Sequence, residues 1–243
     1  MIEPDLPPLL NGRQLVGDQP AMDAAISGAT TGELGAGDVV WRDDPLSLEL
    51  AIILEPDVDL TRAAQMLLLA TVAAGDCIGV LAPPQVGVHF GWPGKLLVNG
   101  ADAGSVALAS ATTDQNGIPD WLIVSVVLRL QFSDDGLEPG HNLGQTALSE
   151  EGCEELTHIQ WLESYARHFL TWLHTWQVEG FRPVHQGWTE RAAGRDEQIE
   201  IEEIGPATVT GLDECGNLLV KFATGDVRAL ALLDAVVTPT AIR

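Results

Sequence analysis

A Trp-Pro step and an Asn-Gly dipeptide enclose a short apolar segment near the middle of the chain. Pro93 fixes its own φ and favours an extended backbone at Trp92, while Asn99-Gly100 is the dipeptide that favours a tight hairpin turn. Few structures other than a hairpin accommodate both signals at this spacing. The sequence therefore predicts a β-hairpin here, preceded by a strand over residues 86–90.

Two further segments are predicted to be strands of a sheet. Residues 46–54 first alternate and then become continuously apolar, as in a strand that passes from a half-exposed to a buried position. Residues 121–130 are rich in Val, Ile and Leu, which is typical of a central strand. The glycine-rich stretch 32–37 precedes a strand instead of opening a helix, which favours a flexible turn over a phosphate cradle. Residues 133–144 are predicted to form a surface loop.

Two long helices are predicted to cover one face of this sheet. The first, over residues 60–79, is apolar almost all round and follows Asp57 or Asp59, either of which can cap it. The second, over residues 157–179, begins with a capping box and is stopped by Gly180. Aromatic residues recur along the second helix at helical spacing, which indicates core packing.

The sequence changes character after residue 194, where short apolar segments alternate with turn residues. A lone hairpin would expose its edges, so these segments are expected to close into a small barrel. We therefore expect one domain over residues 1–193 and a small β-barrel domain over residues 194–243. The predicted strands of the barrel are 198–204, 208–212, 218–222 and 227–232.

The chain is strongly acidic. It has 35 acidic and 12 basic residues, which gives a formal charge of −23. Such a charge repels phosphate backbones and anionic lipid surfaces, so nucleic acid and membranes are not expected partners. Solubility or a salt-rich environment explains the charge, and a specific cationic partner is the alternative.

Neither a targeting segment nor a disulfide framework is apparent. Residues 1–5 lack the basic start and apolar run of a signal peptide, and the apolar run 63–75 is shorter than a membrane span. Cys77, Cys153 and Cys215 are far apart and odd in number, which indicates reduced thiols. The expected location is the cytoplasm.

Generic motifs do not assign a reaction. The chain has no Walker loop, no H-E-x-x-H and no G-x-S-x-G sequence, and its six histidines show no metal-ligand spacing. His168 and His174 are six residues apart on one predicted helix, which places them on opposite faces. No metal site is predicted.

Three stretches resemble one known family. They are the Trp92-Pro93 hairpin, the segment 180–183 (Gly-Phe-Arg-Pro) followed by Trp188, and the segment 211–218. With the order of elements over residues 30–232, they resemble the biotin/lipoate protein ligases, and in particular an uncharacterised alphaproteobacterial biotin protein ligase-like branch. The resemblance implies an α+β fold with the mixed sheet of class II synthetases and a small C-terminal SH3-like barrel.

The resemblance also implies a chemistry and a site. In the family, ATP and Mg²⁺ convert biotin or lipoate to an acyl-adenylate, which an acceptor lysine of a carrier protein then attacks, and members often form homodimers. Lys95 and Asp102 are the only candidates for catalytic residues. The expected ligand-binding residues are Trp41, Arg42, Trp92, Pro93, Gly104 and Arg129.

The chain departs from the family where chemistry would occur. The family's long Gly/Arg loop, which clamps the adenylate, is replaced by the short connection 42–45. The catalytic lysine falls on Asp102, and the Gly-Ile-Gly-x-Asn strand end is replaced by residues 125–129. Lys95, Arg42 or Arg129 could supply a cation from a new direction.

Three interpretations of function remain. The first is a ligase-like protein with a degenerate adenylation site that binds a small carboxylate or nucleotide-like ligand without standard turnover. The alternative is an active ATP-dependent biotin or lipoate ligase with rearranged residues. The third is a structural partner protein, which predicts no cleft shared by Trp41, Trp92 and Gly104.

Overall fold

An eight-stranded mixed sheet forms the centre of the protein. The computed structural model describes residues 3–132, 144–194, 198–201 and 205–238, so most of the predicted loop 133–144 lies outside the described residues. Seven strands follow the order β1-β2-β3-β7-β6-β5-β4. They are β1 Asn11–Gln14, β2 Asp38–Trp41, β3 Ser47–Leu54, β4 Val88–Gly91, β5 Lys95–Val98, β6 Ala101–Ser110 and β7 Leu122–Arg129.

The middle of the sheet confirms the two long predicted strands and the hairpin. β3 pairs with β7 along its whole length, from Ser47 opposite Arg129 to Leu54 opposite Leu122. The hairpin appears as β4 and β5 on either side of the Trp-Pro step, and the Asn-Gly turn then leads into β6. β1 is parallel to β2, and the other neighbours along this path are antiparallel.

Helices cover both faces of the sheet, which corrects the expectation that they cover only one. α3 (Met66–Leu81) and α4 (His158–Glu179) pack on one face and enclose the larger core. α1 (Ala21–Thr31) packs on the other face with a smaller core that includes Ile53 and Ile123. α1 was not predicted because its buried residues are mainly Ala and Gly, which give no apolar stripe of large side chains.

The predicted helix 60–79 is divided into two pieces. Asp59 caps α2 (Leu60–Ala63) by accepting a hydrogen bond from Arg62 N, and two residues separate the end of α2 from the start of α3. Gln65 lies at the junction, where its buried Oε1 accepts a hydrogen bond of 2.8 Å from Trp176 Nε1. The stretch from Leu60 to Leu81 has the length and hydropathy of a membrane span, but 78% of its 18-residue apolar window is buried inside the protein.

The second long helix follows its sequence signals closely. Thr157 and Gln160 form the predicted capping box at the start of α4, and Gly180 ends the helix with a φ of 77°. Trp161 and Phe169 are fully buried, as expected for core packing. The short helix α5 (Arg182–Thr189) follows and brings Trp188 into the same core.

The C-terminal part forms an antiparallel four-stranded sheet in the order β11-β10-β9-β8, and its closure into a barrel stays a prediction. One more strand, β12 (Val236–Val237), leaves this part and pairs in parallel with Leu108 and Ala109 of β6. The segment after residue 194 is therefore anchored to the large sheet as well as linked to it. The four strands are β8 Gln198–Ile201, β9 Gly205–Leu212, β10 Leu218–Lys221 and β11 Val227–Leu230.

The glycines of α3 provide a matched test of the packing on the larger face. A Cβ on Gly75 would lie 2.5 Å from Phe90 Cζ, whereas a Cβ on Gly79, one turn later, would meet nothing within 4 Å. We expect Gly75→Ala to lower the free energy of unfolding by about 1–3 kcal/mol because the core is overpacked. Gly79→Ala should raise it by about 0.5–1 kcal/mol because alanine favours the helix. Urea unfolding measures both, and equal effects would contradict the described packing.

The free thiols differ in their surroundings, and this predicts their reactivity. Burial raises the pKa of Cys77 to about 12 and also raises the pKa of Cys153, while Cys215 is exposed. Because the thiolate is the reactive form, a disulfide reagent at pH 8 should label Cys215 rapidly and the other two only after denaturation. Rapid labelling of a second thiol in the native protein, or of any thiol in Cys215→Ser, would contradict this assignment.

Candidate functional site

Among the described residues, helix α1 covers only half of its face of the sheet. α1 packs over Val40, Ala51 and Ile53, in the part of β2 and β3 nearest the start of β7. Beyond that helix the same face continues through Glu49 of β3 and Val127 of β7, which are paired in register, and Val127 is 40% exposed. This uncovered region, hereafter the open half-face, also includes Ser105 of β6 opposite Val127.

Glu49 joins α1 to the connection between β2 and β3. Its Oε1 accepts a hydrogen bond of 2.7 Å from Ala21 N, and its Oε2 accepts one of 2.9 Å from Arg42 Nη1. The residue before the helix, Pro20, has no side chain that can cap it. A carboxylate at a helix N-terminus satisfies an unpaired amide and favours the helix dipole. Glu49 therefore holds the position that a bound anion would take at α1.

The two candidate catalytic residues, Lys95 and Asp102, form an ion pair with each other. Lys95 Nζ lies 3.3 Å from Asp102 Oδ2, and the two side chains are 56% and 27% exposed. The ion pair crosses between neighbouring strands, because β5 pairs with β6 at this point. Solvent reaches both groups, so the pair contributes little stability and leaves Lys95 free to move.

Arg129 is also bound within the protein. Its Nη1 donates hydrogen bonds of 2.8 Å to the carbonyl of Asp102 and 2.9 Å to the carbonyl of Thr146. The guanidinium also lies 5.6 Å from the centre of the Phe132 ring. Arg129 therefore holds the segment around Thr146 against β6.

The basic residues thus do not form an anion site in the described structure. Arg42 is paired with Glu49, Lys95 with Asp102, and Arg129 with two carbonyl groups. The phosphates of ATP and of an adenylate need several converging cations or backbone amides. In this paired arrangement, the basic residues of the open half-face do not converge on such phosphates. The described residues also contain no cluster of three or more His, Cys, Asp or Glu side chains that could hold a metal ion.

The remaining predicted site residues lie apart from the open half-face. Trp92 Nε1 donates a hydrogen bond of 3.3 Å to the carbonyl of Gly216, so the Trp92-Pro93 step supports the C-terminal sheet. Gly104 is packed within the sheet, since a Cβ there would lie 2.1 Å from Val127 O. Trp41 is 3% exposed and points to the opposite face, into the larger core. Trp41, Trp92 and Gly104 do not line one cleft.

Two cavities lie elsewhere. One of about 690 Å³ borders Trp41, β1 and residues 3–6, and another of about 460 Å³ lies at the start of α4. Beside the second, His158 Nε2 is 2.8 Å from Asp43 Oδ1, within ion-pair distance but without the direction of a hydrogen bond. Sequence analysis missed both His158 and Glu49. The signal for Glu49 was present, because it is the one carboxylate in an apolar strand.

Comparison with known proteins identifies relatives over most of the chain. Residues 6–190 match the model of the biotin/lipoate A/B protein ligase family. A biotin–[acetyl-CoA-carboxylase] ligase of Paracoccus denitrificans is 26% identical over 180 residues, which cover 72% of this chain and 73% of that protein.

Solved structures share the fold. A biotin protein ligase-like protein of unknown function from Silicibacter sp. is 34% identical with a TM-score of 0.88, over 97% of this chain and 100% of that one. The Aquifex aeolicus biotin protein ligase in complex with biotin and ATP has a TM-score of 0.74 at 13% identity, over 91% of this chain and 95% of that one. At this identity, the second likeness shows the fold alone.

The two ion pairs of the site predict different costs of truncation. Glu49→Ala leaves Ala21 N without an acceptor and the half-buried Arg42 without a partner, which should lower the free energy of unfolding by about 1–3 kcal/mol. Asp102→Ala should cost at most about 1 kcal/mol because its pair is exposed. Urea unfolding gives both values.

A second measurement tests whether Glu49 occupies an anion-binding position or stabilises the protein only through packing. If Glu49 occupies an anion site, then formate or acetate should raise the midpoint temperature of Glu49→Ala more than that of the wild type, in which the Glu49 side chain competes for the site. Sodium chloride at equal ionic strength is the control. An equal response of the two proteins would show that Glu49 fills no such site.

Proposed function

Because the chain belongs to the biotin/lipoate A/B protein ligase family, we propose that it is a ligase-like binding protein with a degenerate adenylation site. In this proposal, it binds a small carboxylate or nucleotide-like ligand on the open half-face, without standard ligase turnover. The terminal strands would add the small SH3-like barrel of the family as a second domain.

The pairing of the basic side chains carries this proposal. An enzyme that transfers an adenylyl group must stabilise negative charge that develops on phosphate, and such stabilisation is usually the largest contribution to catalysis. Here Arg42 and Arg129 are bound to groups of the protein itself, and the position of the family's lysine is occupied by Asp102. A carboxylate beside a phosphate raises the energy of the charged state instead of lowering it.

The position of Glu49 defines how a ligand would bind. The amide at the start of α1 and the guanidinium of Arg42 together form a binding site for one carboxylate, which the side chain of Glu49 fills. A free carboxylate or phosphate must displace Glu49 to reach these groups. Ligand binding would then release α1 from β3, which couples occupancy of the site to the position of that helix.

The alternative is an active biotin or lipoate ligase, and the exposure of Lys95 favours it. The Lys95 side chain is 56% exposed and its ion pair is weak, so it can turn from Asp102 towards a phosphate. ATP, Mg²⁺, biotin or lipoate, and the lysine of a carrier protein would then be the reactants. A cytoplasmic location and a homodimer fit either proposal.

The exchange of pyrophosphate into ATP distinguishes the two proposals. We expect exchange at background level in the presence of biotin, lipoate or octanoate, because the cations that would stabilise the transferring phosphate are already paired. The Paracoccus denitrificans ligase, assayed at the same concentration, is the positive control.

An exchange rate similar to that of the Paracoccus enzyme would contradict the degenerate site. If Lys95→Ala then abolished the exchange while Lys221→Ala did not, the activity would belong to the rearranged site. Lys221 is the matched control because it is the other lysine of the chain and lies in the C-terminal sheet.

A further inference from the structure

The indole nitrogen of Trp41 borders a cavity and has no acceptor among the described residues. The Trp41 side chain is almost fully buried, and no described residue accepts a hydrogen bond from its Nε1. It is not among the fully enclosed unpaired atoms, which belong to His158, Tyr165, Trp188 and Thr189. Trp41 also borders the cavity of about 690 Å³. Because Nε1 is not enclosed and no described residue accepts from it, this donor is available to a ligand in the cavity.

Gln14 supplies an acceptor next to this donor. Gln14 of β1 is the register partner of Trp41 of β2, so the two side chains leave the sheet side by side on the same face. Gln14 Nε2 donates a hydrogen bond of 3.0 Å to Asp43 Oδ2, which fixes the orientation of the amide. The other amide atom, Oε1, remains as an acceptor at the same cavity.

The space in front of this pair depends on a glycine. A Cβ on Gly12 would lie 3.7 Å from Trp41 Nε1 and 3.1 Å from Leu6 Cδ1, so a larger side chain would enter the cavity beside the indole. The backbone of Gly12 does not have a positive φ, and the strand itself does not require glycine. Pro4, Leu6 and Leu10 provide apolar walls.

The charge around the cavity excludes anions. Glu3 and Asp5 border it, and Asp43 lies behind Gln14. Two basic residues described nearby are already engaged. The His158 ring lies 6.1 Å from that of Trp41, and its Nε2 is 2.8 Å from Asp43 Oδ1. Arg167 is bound to the carbonyl and carboxylate of Asp5. Arg13, on the same strand, projects to the other face and pairs with Asp38. A carboxylate or phosphate entering the cavity would therefore meet acidic groups without a free cation.

We propose that this cavity binds a neutral ligand through an amide edge, with the ligand C=O accepting from Trp41 Nε1 and its N–H donating to Gln14 Oε1. Lactams, cyclic ureas and carboxamides have this edge. The site is separate from the open half-face, because Trp41 and Arg42 are consecutive residues that project to opposite faces of the sheet. It therefore goes beyond the proposed function and does not depend on it.

The indole resonance of Trp41 provides a direct test. In a ¹H–¹⁵N spectrum of the full chain, Trp41→Phe identifies the Nε1–H signal of Trp41 among those of the seven tryptophans. Nicotinamide, 2-imidazolidinone and uracil serve as neutral probes with an amide edge. Nicotinate is the matched anionic control because it differs from nicotinamide only in its carboxylate. We expect a saturable shift of the Trp41 signal with at least one neutral probe and none with nicotinate.

Variants of the cavity wall localise the binding. Gln14→Leu removes one hydrogen bond and should raise the dissociation constant of the probe by about three- to tenfold. Gly12→Leu fills the space beside the indole and should abolish the shift, whereas Val16→Leu, at a fully exposed position of the same segment, should leave it unchanged. The dispersion of the remaining resonances verifies that each variant is folded.

Three results would overturn the proposal. The Trp41 signal could remain unchanged with all three neutral probes, or nicotinate could shift it as strongly as nicotinamide. Binding could also persist unchanged in both Gly12→Leu and Gln14→Leu, which would place the probe elsewhere. None of these results depends on ATP–pyrophosphate exchange. A failure of this proposal would therefore leave the proposed function to be tested by its own assay.

Discussion

The pairing of β3 with β7 sets the environment of every residue discussed above. Because eight consecutive residues pair without a bulge, the alternation of the two strands assigns each side chain to one face of the sheet. Leu50 and Val126 face the helices α3 and α4, while Glu49 and Val127 face the other side. A slip of one residue would bury Glu49 among leucines. The large apolar core of α3 and α4 thus fixes the register, and the register presents Glu49 to the start of α1 and to Arg42.

The short connection between β2 and β3 fixes where the charge of Arg42 lies. Arg42 N donates to Glu49 O, so β-pairing continues to the last residue before the turn. With so little chain between the strands, the Arg42 guanidinium reaches a carboxylate on the neighbouring strand. A long loop rich in glycine and arginine could extend its cations over a ligand, whereas this tight connection turns its one arginine back onto the sheet. The short connection and the pairing of Arg42 are therefore one structural feature.

The parts of the fold that the sequence predicted are those with strong local signals. The capping box of α4, the strand 121–130 and the Asn-Gly turn follow from patterns of a few residues. α1 was missed because its contacts use alanine and glycine, and the return of β12 to β6 was missed because two valines carry no pattern of their own. The site was harder to predict, since Glu49 acquires its role from Ala21 and Arg42, which only the folded sheet brings near it. Residue types alone suggested free cations at Lys95 and Arg129, and the partners of both came from tertiary structure.

The side chains on the two faces of β2 differ in which groups they offer to a ligand. With 35 acidic and 12 basic residues, the chain has few cations to assign to a ligand. Arg42, Lys95 and Arg129 are bound to the protein's own oxygen atoms. Three indole N–H groups, those of Trp92, Trp172 and Trp176, are likewise bound to oxygen atoms of the protein. Trp41 keeps its N–H open toward a cavity while the adjacent Arg42 is fully engaged. A ligand can therefore reach the neutral donor directly, whereas it reaches the Arg42 guanidinium only by displacing Glu49.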